Sequence, residues 1–150
     1  YADIFLPDFK YWGDGAANRY SNAAGYADVA KKAIAQMAEQ AGPPVFNADG
    51  ILQRGVVVRH MLLPGYAEDS KAIIRWLHEK LGDSVLLSIM SQYTPMPGLE
   101  RFPELERTVT ETEYDDLVDY ALTIGLEDAY IQEGGAASES FIPPFDCEGV

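Results

Sequence analysis

Two kinds of hydrophobic pattern alternate along the chain, and they predict strands and helices in turn. Short apolar runs without polar alternation, typical of strands buried on both faces, lie at 2–6, 56–63, 85–90 and 129–131. Apolar residues that recur every three to four positions, typical of amphipathic helices, lie at 27–41, 69–81 and 110–124. The alternating order predicts an α/β fold with parallel strands and outer helices.

Local signals refine the ends of these elements. The turn residues within 45–52 predict a small β-hairpin or an ordered loop. Asp69 or Ser70 is expected to cap the second helix. Thr110 and Glu113 have the spacing of a capping box and are expected to begin the third helix.

Composition and charge limit the classes of protein to which the chain can belong. The 150 residues suffice for one domain with its own core, which we assign to 1–132, followed by an extended C-terminal tail at 133–150. The formal net charge is −13, and no Lys or Arg follows Arg107. Nucleic acid and anionic membrane surfaces would repel so acidic a chain, and no apolar run is long enough to cross a bilayer. The single cysteine, Cys147, excludes an intrachain disulfide and favours a reducing, cytoplasmic compartment.

Charged side chains at two predicted strands are the strongest functional signal. Arg59 lies inside the apolar run at 56–63, where a guanidinium needs an anionic partner or bears a large desolvation cost. Asp8 and Lys10 follow the first strand two positions apart, so their side chains point to the same side. Because ligand groups gather at the carboxyl ends of parallel strands, these charges are expected to meet there, close to 91–93.

Simpler interpretations stay open for the same residues. Arg59 can pair with Asp8 or Asp3 as a structural ion pair that binds no ligand. His60 faces the opposite side from Arg59 and is interpreted as a core histidine with satisfied hydrogen bonds. A hydrolase needs a nucleophile beside a base, and we discount that class because His60 and His78, on a polar helix face, are the only histidines.

Three segments, taken in order, resemble the later strands of the radical S-adenosylmethionine enzymes. They are Leu6-Pro7-Asp8-Phe9-Lys10-Tyr11-Trp12, then Arg59-His60-Met61-Leu62-Leu63-Pro64-Gly65 with Asp69-Ser70 after it, then Met90-Ser91-Gln92-Tyr93. Within that group they are most similar to pyruvate formate-lyase activating enzymes and their relatives. The resemblance extends from Tyr1 to about Gly125. The ordered set is specific, whereas each piece alone is weak.

This resemblance implies a partial βα barrel, of which the chain would be the C-terminal half. Asp8 and Lys10 would hydrogen-bond ribose or carboxylate oxygens of S-adenosylmethionine, and Arg59 would bind its carboxylate. Gln92 and Tyr93 would lie beside its adenine, where relatives often carry a histidine. No residue of this chain is expected to be catalytic or to bind a metal.

The iron–sulfur cluster of that family cannot be held by this chain alone. Reductive cleavage of S-adenosylmethionine needs a four-iron, four-sulfur (4Fe-4S) cluster, which three cysteines bind at the spacing Cys-x3-Cys-x2-Cys. The chain has one cysteine, and it lacks the early glycine-rich strand end that holds the amino group of the cofactor. In the family both belong to earlier strands. Because the chain enters a strand within a few residues of Tyr1, we expect it to be part of a longer protein and to be inactive alone.

Two functions therefore remain as expectations. In full length, the resemblance implies an enzyme that cleaves S-adenosylmethionine at the cluster and generates a radical, with a glycyl-radical protein as its partner. The alternative is a non-catalytic binding or interaction module of the same fold. A half barrel exposes a sheet edge and an apolar inner face, so self-association through that edge is expected.

Overall fold

Five strands and four α-helices follow one another along the part of the chain that the structure describes. This computed structural model describes residues 2–126 and 129–131. The strands are β1 (Ile4–Phe5), β2 (Val45–Phe46), β3 (Leu52–Met61), β4 (Leu86–Met90) and β5 (Ala129–Ile131). The helices are α1 (Asp14–Ser21), α2 (Tyr26–Ala41), α3 (Ala67–Leu81) and α4 (Glu111–Thr123). The predicted α/β class is confirmed, and the predicted tail at 133–150, with Cys147, lies outside the described residues.

The sheet has the parallel arrangement that the sequence predicts. Its strands lie in the order β1-β3-β4-β5, each parallel to its neighbour, while β2 pairs antiparallel with the start of β3. The pairing places Phe5 beside Val56, Arg59 beside Ser88, and Ser88 beside Tyr130. The parallel strands thus follow one another across the sheet in chain order, without a reversal of direction.

The predicted hairpin is present between β2 and the start of β3. Asn47 closes its turn, because the side-chain oxygen accepts hydrogen bonds from the backbone N–H groups of Asp49 (3.0 Å) and Ile51 (2.9 Å). Beyond the turn, Val45 pairs with Arg54. The hairpin therefore extends β3 beyond its parallel pairing with β1 and β4.

The hydrophobic core lies on one face of the sheet. Alternate strand residues face it, and they pack with buried residues of α2, α3 and α4: Val56, Val58, Leu87 and Ile89 meet Ile34, Ile73, Ile74, Leu77 and Leu117. Because side chains alternate along a strand, Val57, Arg59 and Met61 point to the opposite face. We call this second surface the open face, since none of the three helices α2, α3 and α4 packs against it.

The capping box predicted at the start of α4 is confirmed. The hydroxyl oxygen of Thr110 accepts from the backbone N–H of Glu113 (3.2 Å), and a carboxylate oxygen of Glu113 accepts from the backbone N–H of Thr110 (3.0 Å). Arg107 and the N–H of Gly65 also donate to this carboxylate. These hydrogen bonds, led by that from Arg107, hold the pKa of Glu113 far below its usual range.

The predicted cap of α3 is wrong. This helix begins at Ala67, before Asp69 and Ser70. Asp69 instead accepts a hydrogen bond from the backbone N–H of Gly13 (3.3 Å), and the buried hydroxyl of Ser70 lies 2.7 Å from Nε2 of His60. Both polar side chains are drawn into contacts distant in sequence, so neither serves as the cap.

Candidate functional site

Asp8, Lys10 and Arg59 converge at the carboxyl end of the sheet. Beyond β1 the backbone stays paired with β3, because Arg59 N–H donates to the carbonyl of Pro7 (2.8 Å) and Phe9 N–H donates to that of Arg59 (2.9 Å). Nε and Nη2 of Arg59 lie 2.8 and 2.7 Å from Oδ1 of Asp8. Nζ of Lys10 lies 3.5 Å from Oδ2 of the same carboxylate. The structure thus brings together the three charged residues that the sequence singles out.

This charged cluster is partly open to solvent on the open face. The side chains are 32% (Asp8), 50% (Lys10) and 45% (Arg59) exposed. A solvent-exposed ion pair contributes only about 0–1 kcal/mol, so a ligand can replace it at little cost. The structural pairing that the sequence leaves open for Arg59 is present, with Asp8 rather than Asp3 as its partner. The remaining N–H groups of Arg59 stay accessible.

A buried histidine anchors the segment that carries two of these charges. Nδ1 of His60 lies 2.7 Å from the carbonyl oxygen of Phe9, and Nε2 lies 2.7 Å from Oγ of Ser70. A carbonyl can only accept, so Nδ1 carries the proton and Nε2 accepts from the hydroxyl. Burial lowers the pKa of His60 and favours this neutral form. Because Phe9 lies between Asp8 and Lys10, the imidazole holds the backbone that presents both.

The core interpretation of His60 is therefore confirmed, but its link with the candidate site is not visible in the sequence. The acceptor on Phe9 is a backbone carbonyl, which no residue type reveals. The donor, Ser70, is one of the two residues that the sequence predicts as the cap of α3. Only the fold shows that β3 and α3 together support the end of β1.

A pocket of about 240 Å³ opens beside Lys10 at the same end of the sheet. Three tyrosines line it, Tyr11, Tyr20 and Tyr93. The remaining lining is apolar and comes from the end of β3 and the loop after β4: Met61, Leu63, Met96, Leu99 and Leu105. The loop residues lie far from β3 in sequence, so hydrophobic periodicity could not have identified this pocket.

Gln92 and Tyr93 differ in their relation to the pocket. Tyr93 lines it, and its hydroxyl donates to the carbonyl of Leu105 (2.8 Å). Burial raises the pKa of Tyr93, so the phenol stays protonated. Gln92 is half-buried and is not part of the pocket lining. Of the pair predicted from the sequence, only Tyr93 contributes to this pocket.

A hydrogen-bonded network joins α1 to the loop over the pocket. Oε1 of Glu104 accepts from Nε of Arg19 (2.8 Å) and from the hydroxyl of Tyr20 (2.6 Å), which lies 2.8 Å from the hydroxyl of Tyr66. The hydrogen bonds from Tyr20 and Arg19 lower the pKa of Glu104 to about 2. Burial, with the hydrogen bond to Glu104, raises the pKa of Tyr20. These bonds hold the loop against α1.

A larger pocket, of about 350 Å³, lies at the opposite end of the strands. Pro44, Phe46, His78 and Asp83 are among the residues that line it. We place the candidate site at the carboxyl ends instead, because ligands bind there in parallel α/β sheets and because the converging charges lie there.

The fold and the charged cluster define an α/β protein with a candidate site at the carboxyl ends of parallel strands. No protein-family model and no solved structure matches the chain. The chain is similar to "Uncharacterized protein MJ0674" of Methanocaldococcus jannaschii, with 23% identity over 129 residues, or 85% of this chain. The match covers 34% of that protein, so the chain spans about a third of the length of this relative.

The described residues contain neither a metal-binding cluster nor a membrane-spanning helix. Within 2–126 and 129–131, no three His, Cys, Asp or Glu side chains are grouped so that they could hold a metal ion. In the same part of the chain, no helix combines the length and the apolar character that crossing a membrane requires.

Proposed function

We propose that the chain is the C-terminal half of a partial βα barrel in a cytoplasmic radical S-adenosylmethionine enzyme, similar to pyruvate formate-lyase activating enzymes. The full-length protein would cleave S-adenosylmethionine reductively at a 4Fe-4S cluster and generate a radical on a glycyl-radical protein. The observation that carries the proposal is the meeting of Asp8, Lys10 and Arg59 at the carboxyl ends of two neighbouring parallel strands. Both the positions of the strand ends and the resemblance predict this meeting.

The winding of the sheet supports the barrel. In a doubly wound fold the strand order reverses and helices cover both faces. Here the order β1-β3-β4-β5 does not reverse, and α2, α3 and α4 share one face. A barrel wall has both properties, since its helices form an outer ring and its inner face lines the site.

The charged cluster fits the polar groups of S-adenosylmethionine. Arg59 uses Nε and Nη2 for Asp8, which leaves other N–H groups for a carboxylate. Asp8 is an acceptor that suits the cis-diol of ribose, and the ammonium of Lys10 can donate to either group. Tyr93 would meet adenine with its ring face, because its hydroxyl already donates to Leu105. Gln92 would have to reach the adenine from outside the pocket.

The binding role of Arg59 can be tested on the chain itself. We expect S-adenosylmethionine to bind weakly, and Arg59→Ala to weaken binding about tenfold or more, because the carboxylate loses its charge-assisted partner. Isothermal titration calorimetry measures both. Arg54→Ala is the matched control, since Arg54 is exposed at the amino end of the same strand, and it should leave the affinity unchanged. Undetectable binding to the unmodified chain, or equal loss in both variants, would contradict the assignment.

The enzyme class has a separate test in the reading frame upstream of Tyr1. The proposal expects three cysteines there at the spacing Cys-x3-Cys-x2-Cys, which would hold the cluster and supply its redox chemistry. The chain without them should be inactive. A start codon directly before Tyr1 would contradict the enzyme and favour a binding protein.

A non-catalytic interaction module is the second candidate, favoured by apolar residues on the open face. Leu6 is 57% exposed and Tyr130 is 50% exposed, and they belong to the two edges of the described sheet. Unpaired edges of this kind pair readily with a second copy. The occupant we expect is therefore another molecule of the same chain.

Self-association can be measured by light scattering over a concentration series. We expect a dimer or larger assembly, and we expect Leu6→Glu to shift it to monomer by placing a charge in the contact. Val29→Glu is the matched control, because Val29 is 67% exposed on α2, away from the open face. A wild-type chain that stays monomeric throughout the series would exclude this candidate.

A further inference from the structure

The pocket beside Lys10 offers aromatic ring faces but few free polar groups. Each tyrosine in its lining already has a partner for its hydroxyl: Tyr11 bonds with Ser21 (2.9 Å), Tyr20 with Glu104 (2.6 Å) and Tyr93 with Leu105 (2.8 Å). A sugar or another hydroxyl-rich ligand would find these groups occupied. The pocket therefore suits a ligand whose buried part is apolar.

Lys10 supplies the charge of the pocket. Among the described residues that line the pocket it is the one charged side chain, and it is half-exposed. Its nearest carboxylate, Asp8, lies 3.5 Å away and is held more closely by Arg59 (2.7 Å). The ammonium is thus available to an anionic group at the mouth of the pocket.

The size and the lining of the pocket further limit the class of ligand that it can bind. A cavity of roughly 150 Å³ lined by apolar side chains binds benzene, so about 240 Å³ accommodates a fused bicyclic ring. The thioethers of Met61 and Met96 favour contact with aromatic rings. The network of Glu104 with Arg19 and Tyr20 holds the loop that completes the wall, so the pocket is formed before a ligand arrives.

We propose that this pocket binds a planar aromatic carboxylate, with its ring among the tyrosine and methionine side chains and its anionic group at Lys10. The site is separate from the pair of Asp8 and Arg59, and it requires no radical chemistry. It shares Lys10 and Tyr93 with the position proposed for S-adenosylmethionine, so the two ligands would compete.

The test compares three probes on the intact chain by isothermal titration calorimetry. They are 1-naphthylacetate, its neutral counterpart 1-naphthylacetamide, and adenosine. We expect the acetate to bind about tenfold more tightly than the amide, because only the acetate forms a charge-assisted bond. Adenosine should bind more weakly than the acetate, since the tyrosine hydroxyls of the described lining already have partners and are not free for its polar ring edge.

Variants assign the binding to this pocket. Lys10→Met should reduce the affinity for the acetate to that of the amide, and Lys32→Met, at an exposed position of α2, should not change it. Met96→Trp should abolish binding by filling the mouth, and the fold should tolerate it because Met96 is 45% exposed. The acetate is titrated in the absence of S-adenosylmethionine, so its result is independent of the cofactor proposal. Equal affinity for acetate and amide, tighter binding of adenosine, or acetate binding that survives Met96→Trp would overturn it.

Discussion

Replacing His60 with alanine is expected to lower the free energy of unfolding by about 3–4 kcal/mol. The substitution leaves a cavity in the core and removes the partners of the buried Ser70 hydroxyl and of the Phe9 carbonyl. Urea denaturation followed by the fluorescence of Trp12 and Trp76 measures the loss, because both rings lie near Phe9.

His78→Ala is the matched control for this substitution. His78 is only partly buried on α3, so its removal should change the free energy of unfolding by less than about 1 kcal/mol. His60→Ala should also weaken S-adenosylmethionine binding, because the segment between Asp8 and Lys10 loses its anchor. Equal stability losses in the two variants would show that the bonds of His60 contribute nothing beyond an ordinary histidine contact.

The same histidine should make the stability of the protein depend on pH. Burial lowers the pKa of His60 below its ordinary value of 6.5 in the folded state, against an opposing hydrogen bond to Phe9 and the charge of Asp69. The unfolded chain therefore takes up a proton at higher pH than the folded chain. Stability is complete above about pH 6.5 and falls as the pH drops toward the folded pKa. In His60→Ala the free energy of unfolding should not fall in this pH range. If the same dependence on pH remains in the variant, groups other than His60 cause it.

Replacing Leu87 with alanine is expected to cost about 3 kcal/mol, whereas replacing Leu6 should cost no more than about 0.5 kcal/mol. Leu87 is 3% exposed on the face that α2, α3 and α4 cover, so its loss leaves a cavity in the core. Leu6 is 57% exposed and already contacts water, so little burial is lost. Urea denaturation of both variants gives the comparison.

This comparison tests the one-sided sheet on which the barrel proposal depends. It should be made at a concentration where light scattering finds the monomer, because a second copy on the open face would bury Leu6. A loss at Leu6 as large as that at Leu87 under those conditions would mean that the open face is packed within one molecule. The sheet would then be covered on both sides, contrary to a barrel wall.

The elements and the charged cluster were predictable because their signals are local. The run at 85–90 is mostly apolar and of strand length, and Leu87 and Ile89 of β4 lie in the core. The helix α2 has one apolar stripe because only one of its sides meets the sheet. The meeting of Asp8 with Arg59 follows from strand alternation and from parallel pairing. Neither inference needed the positions of loops.

The role of Ser70, the pocket and the open face could not be predicted, because they depend on contacts between segments that are distant in the sequence. Ser70 carries a capping signal, yet the fold uses it to hold His60. The loop after β4 forms part of the pocket wall, and the hydrogen bond from Tyr20 to Glu104 holds this loop against α1. No spacing along the chain reveals this hydrogen bond. The open face is a property of where all three helices lie, which each helix alone does not determine.

Chemical-shift mapping of the isotope-labelled chain, titrated with S-adenosylmethionine, tests the central claim most directly. If the carboxyl ends of β1, β3 and β4 form the binding site, the backbone amide signals of 8–11, 59–61 and 91–93 should move together and saturate. Signals from the opposite end of the sheet, at 42–46 and 82–84, should stay in place. Movement confined to that opposite end, or no movement at any concentration, would contradict the site proposed for this protein.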